Sequence, residues 1–124
     1  MWRTVRVLGI LLAASLMLGE AWRSWGADRP LAFVLDDFVF GLPLLLAACW
    51  ARRPSPHARA MLAAAWAGNV GMLYGSFFTK IVAPAEIESG NWDAGVLTAL
   101  IGLAFAISII GLVGTLTVSA SNGR

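Results

Sequence analysis

AGVLTALIGLAFAISIIGLVGTLTV, residues 94–118, runs for 25 residues without a charged side chain. A transmembrane helix needs about 20 consecutive apolar residues, so this stretch alone is long enough to cross a bilayer. Its composition is typical of the chain. Of 124 residues, 59% are hydrophobic and 13% charged, against roughly a quarter charged in a soluble domain. A soluble fold of this size could not cover its surface.

Upstream, three further apolar stretches are separated by polar breaks. Residues 60–79 precede a loop marked by Lys80, Pro84, Glu86, Glu88, Gly90 and Asp93. Residues 31–51 precede Arg52-Arg53-Pro54-Ser55-Pro56-His57, where the prolines forbid a continuous helix. Residues 5–25 follow Arg3 and Arg6 and end among Trp22 and Trp25, residues suited to an interface. The expected fold is all-α: one domain over residues 1–124, a four-helix transmembrane bundle with spans of about 5–25, 31–51, 60–79 and 94–118. A signal peptide is the alternative reading of the first stretch, but Glu20 and Trp22 make a poor cleavage site of Gly19-Glu20-Ala21.

Loop charge sets the orientation. With the amino terminus inside, the cytoplasmic side holds Arg3, Arg6, Arg52, Arg53, Arg59 and Arg124, and the outer side holds Arg23, Arg29 and Lys80. Six against three predicts N-in, C-in, and all seven acids fall toward the outer side. Arginine outnumbers lysine eight to one, which, with abundant alanine, points to a bacterial inner membrane.

Small residues are expected at helix contacts, because lipid supplies no hydrophobic drive for helices to associate. Ala60, Ala64, Ala67, Gly71 and Gly75 form such a seam, with Gly71 and Gly75 as a GxxxG pair, and Gly95, Ala99, Gly102 and Ala106 form another. The third and fourth helices are expected to pack through them.

Glu20, Asp36 and Asp37 are the acids placed well inside the spans, and intramembrane acids are costly enough to be functional candidates. The two aspartates make the second span marginal. Its eleven Leu, Val and Phe residues contribute about −0.3 to −0.6 kcal/mol each, against up to about 2.5 to 3.5 for each aspartate. Glu20 shares a face with Gly9, Ala13 and Leu16, and Asp37 with Gly41, Leu44 and Ala48, so both are expected to look inward. Asp36 diverges from Asp37 by about 100°. Pro43 leaves the Val39 carbonyl without its helical donor. Tyr74, Asn69 and Ser76 on the third helix are the expected polar partners, with Arg23, Arg29 and Lys80 as charge partners.

Enzymatic chemistry is not expected: one histidine, His57, and one cysteine, Cys49, give no nucleophile and base pair, no metal set and no disulfide. His57 reads as a solvated turn residue and Cys49 as a small buried one. No cofactor is expected, and the dispersed basic residues exclude a nucleic-acid footprint. In length and in its membrane glutamate the chain is superficially similar to the small multidrug resistance transporters, and Asn69 with Gly75-Ser76-Phe77 is similar to a feature of fluoride channels. Glu20 lies toward the outer end of its helix and the threonine-serine pattern of fluoride channels is missing, so neither family lends residues. Two functions remain. The first is a structural or accessory membrane protein whose partners are the lipid bilayer and a second copy or a larger membrane complex. The second is a small transporter or channel using the outer carboxylates for a cation or proton.

Overall fold

A computed structural model describes residues 1–26, 31–83 and 92–122, with the side chains at 31–34, 36 and 118–122 left aside. The expected loop residues Asp28, Arg29, Glu86 and Glu88, and the terminal Arg124, lie outside the described residues. The chain is all-helical: α1 is Trp2–Ser24, α2 Leu31–Trp50, α3 Pro56–Val82 and α4 Ala94–Asn122, and no strand occurs among the described residues. Helix α1 and the Ala94–Thr117 part of α4 are each long and apolar enough to cross a membrane, and α2 carries a shorter apolar stretch, Asp37–Trp50.

The helix ends follow local chemistry. Gly26, at φ +70°, takes the left-handed conformation that ends a helix without a Cβ penalty. Ser55 caps α3 by accepting a hydrogen bond from the Ala58 amide at 3.1 Å, and Pro56 opens the helix where its missing N–H costs nothing. Helix α3 therefore begins four residues before the expected apolar stretch.

Each helix packs on its chain neighbours, and α4 returns to α1, closing a ring. The contacts run antiparallel at every step. The Trp2 indole and the Arg6 guanidinium, at the start of α1, donate to the carbonyls of Ala51 and Ala48 at the end of α2, at 2.8 and 2.7 Å. Phe40 of α2 meets Gly68 of α3, Phe77 of α3 meets Gly102 of α4, and Gly114 of α4 meets Val5 of α1.

Trp66 fills the centre of the ring and is wholly buried. Its indole lies against Gly9 of α1 and, more closely, Gly111 of α4. The buried lines recur at three or four residues: Val5, Gly9, Leu12, Leu16 and Glu20 on α1, and Leu62, Trp66, Asn69 and Leu73 on α3, the spacing of one helix face. Buried Ser108 and Thr115 donate back to the carbonyls of Phe105 and Gly111, both at 2.7 Å, which satisfies their hydroxyls within α4. The outside is the reverse of a soluble protein: Leu18, Leu46, Leu103 and Ile110 are each more than half exposed.

Two packing expectations are corrected. Gly71 and Gly75 point away from the bundle, with no atom within 4 Å of an added β-carbon, and Ala60, Ala64 and Ala67 share that exposed face. Gly95 is also exposed, meeting only the Asp93 carboxylate. The reason is rotational: Gly71 lies two residues, about 200°, beyond buried Asn69. Of the expected glycines Gly102 packs, since a β-carbon there would approach Phe77 Cε1 to 2.7 Å. The α3/α4 contact instead sets bulky α3 side chains into hollows over Gly102 and Gly111. Cys49 also differs from expectation, being exposed, while Trp2 is buried as a hydrogen-bond donor to the Ala51 carbonyl.

Candidate functional site

A cavity of about 610 Å³ lies between α1 and α4, within the range of about 300–1,000 Å³ for small-molecule sites. Leu8, Leu12 and Leu16 line one wall and Leu97, Ile101 and Ala104 the other. Charge is confined to one end, where Glu20, Arg23 and Asp37 contribute to the lining beside Trp92. The Trp92 indole donates to the Gly19 carbonyl at 3.1 Å, tying α4 to α1 at this end.

Glu20 reaches the site by the face on which its helix is buried, and is itself 2% exposed. Its Oε2 lies 3.9 Å from Arg23 Nη1, one turn on, an ion pair beyond the reach of a hydrogen bond. Asp37 joins from α2 and is half-buried. Behind it, Gly41, Leu44 and Ala48 are buried as the helical spacing predicts. The side chain of Asp36 lies outside the described residues, as does Arg29.

The α3 candidates are distributed otherwise. Asn69 is buried in the core, where its amide donates to the carbonyls of Phe40 on α2, at 3.0 Å, and Ala65, at 2.9 Å. The expected free carbonyl was that of Val39; the bond to Asn69 is made by its neighbour Phe40, in the same turn preceding Pro43. The Lys80 ammonium donates to the Ser76 hydroxyl at 2.8 Å and to the Ser76 carbonyl at 3.3 Å, and Lys80 is 8% exposed. Asn69, Ser76 and Lys80 share the inward side of α3 yet stand outside the cavity lining. Tyr74 is not directed to the acids: it is 57% exposed and packs against Phe78 and Phe105.

Sequence reasoning missed the cavity itself and the role of Trp66. The leucines of α1 and α4 carried no signal separating a groove from lipid contact. Trp66 was legible only as a residue that packs. No group of three or more His, Cys, Asp or Glu able to hold a metal occurs among the described residues. No protein-family model, curated protein or solved structure matches this chain.

Proposed function

We propose that the chain is a four-span protein of the bacterial inner membrane, both termini cytoplasmic, serving as a structural or accessory component through helix packing. The carrying observation is the outward face of α3. Ala60, Ala64, Ala67, Gly71 and Gly75 are exposed on one side of the helix, and a β-carbon added at Gly71 or Gly75 would meet no other helix within 4 Å among the described residues. Small residues facing lipid let a second helix approach closely, and among the described residues no helix of the chain packs on this stripe. The apolar exterior supports the membrane assignment, and the six-to-three basic bias supports the orientation.

The test has two parts. Single cysteines at Ser55 and Ser121, in a Cys49→Ser background, should react with a membrane-impermeant maleimide only from the cytoplasmic side. Reaction from outside would overturn the topology. Gly71→Ile with Gly75→Ile should weaken association, read by energy transfer between labelled chains or by recovery of a membrane complex, while leaving the monomer folded. Association equal to that of the parent chain would overturn the packing role.

A second reading, cation or proton handling, is favoured by one observation: Glu20 and Asp37 line the same cavity. Proteoliposome flux that disappears in Glu20→Gln or Asp37→Asn would support it, and unchanged flux would remove those sites. It ranks second because Trp66 fills the bundle centre between Gly9 and Gly111.

A further inference from the structure

We propose that the α1/α4 cavity is a lipid site, holding one acyl chain of a zwitterionic aminophospholipid of the phosphatidylethanolamine type with its head group at Glu20, Arg23 and Asp37. The inference rests on the membrane reading above and extends it to a ligand. Three observations carry it.

The first is shape. The cavity runs along α1 from Leu8 to Arg23. Its apolar part, Leu8 to Gly19, covers roughly 16 Å at about 1.5 Å per residue. One leaflet of a hydrocarbon core about 30 Å thick is about 15 Å deep, so the apolar slot has the length of a single chain in its leaflet. The second is access. The slot lies between two helices whose outward residues, Leu11 and Leu18 on α1 and Leu100 and Leu103 on α4, are exposed, so a chain would enter sideways from the bilayer.

The third is charge. The charged residues stand at one end, as the head group of an amphiphile requires. There a carboxylate and a guanidinium lie 3.9 Å apart, with the Asp37 carboxylate lining the same end. Adjacent opposite charges complement a head group that carries a phosphate and an ammonium next to each other. The phosphate would lie against Arg23, one turn further out, and the ammonium would fold back toward Glu20 and Asp37. Guanidinium and phosphate are geometrically matched, and an ammonium offers three donors to carboxylate acceptors. A purely anionic head would meet two carboxylates, and a quaternary ammonium would have no N–H to donate.

The full chain would be reconstituted into nanodiscs holding equal parts of phosphatidylethanolamine, phosphatidylglycerol and phosphatidylcholine with identical acyl chains. Lipid retained by the released protein is then read by native mass spectrometry. The expected result is preferential retention of phosphatidylethanolamine. Glu20→Gln and Arg23→Gln should each lower that retention by about tenfold, as expected for losing one charge-assisted hydrogen bond. Ser15→Phe, which fills the slot away from the charges, should abolish retention of all three lipids while the chain still elutes as a folded species. Equal retention of the three lipids overturns the proposal, and so does retention indifferent to both Glu20→Gln and Ser15→Phe. Cysteine labelling on the same nanodiscs separates the two failures: correct topology without selectivity overturns only the lipid site, and incorrect topology overturns the membrane reading as well.

Discussion

Replacing Gly111 by alanine should destabilise the bundle more than any other glycine-to-alanine change. The added methyl would overlap Cε2, Cζ2 and Cδ2 of Trp66, where carbon atoms prefer separations of about 3.5–4.0 Å. The indole is packed on more than one helix. It is wholly buried, and the backbone of Gly9 on α1 also borders its Cζ2. Overpacking costs about 1–3 kcal/mol, and a rigid ring trapped between two helices belongs in the upper half of that range. Helix propensity works the other way, by up to about 1 kcal/mol for Gly→Ala. Gly71→Ala supplies the propensity without the clash, so the difference between the two variants isolates the overlap at about 2–3 kcal/mol. That is roughly 30- to 140-fold in the folding constant. Reversible unfolding in bicelles, measured by steric trapping, reads this directly. Adding Trp66→Leu to Gly111→Ala should recover about 1–2 kcal/mol relative to additivity, as expected for residues in contact. If Gly111→Ala is as mild as Gly71→Ala, or if the pair is additive, the packing of Trp66 over Gly111 is refuted.

The same assay checks three further expectations. Asn69→Leu removes the bonds to Phe40 and Ala65 and should cost about 1–2 kcal/mol, while Asn69→Gln should restore little because its amide is displaced by a methylene; a neutral Asn69→Leu would show the α2 bond to be dispensable. Arg6→Gln removes a donor to the Ala48 carbonyl and should cost about 1–2 kcal/mol, visible as faster proteolysis after Arg52; unchanged proteolysis would argue against capping. Ser76→Ala deprives buried Lys80 of the hydroxyl it holds at 2.8 Å and should cost about 1 kcal/mol, with Ser76→Thr expected to retain most of the stability; equal losses for both would assign the effect to packing.

Much of the fold is present in the residue pattern. The four apolar stretches, the proline turn and the inward line ending at Glu20 follow from spacing and local chemistry, and each matches the helices observed. The inward face of α3 does not follow. In lipid both sides of a helix are apolar, so a buried leucine and a lipid-facing leucine leave the same trace. Small residues need not mark the contact side, because a bulky knob such as Trp66 requires the small residue on its neighbour, at Gly9 and Gly111, and leaves Gly71 and Gly75 facing outward. Placing Tyr74 with the acids fails for a related reason: its ring turns out to Phe78 and Phe105, and position along the helix says nothing of rotation about it. Asn69 was identified as a polar contact because an amide in an apolar helix needs partners, although which carbonyl it meets depends on how α2 and α3 cross.

The hydrogen bonds from Trp2 and Arg6 to the last turn of α2 bear on the order of assembly. Helix α2 contains Asp36, Asp37 and Pro43, and has no basic residue in its own last turn to meet its carbonyls. Those donors come from α1, which is synthesised before α2. An emerging α2 thus finds its capping groups already waiting in the preceding helix, and the two are suited to assemble as a hairpin. Removing the first few residues would then act less on α1, which loses only its tip, than on the helix that follows it.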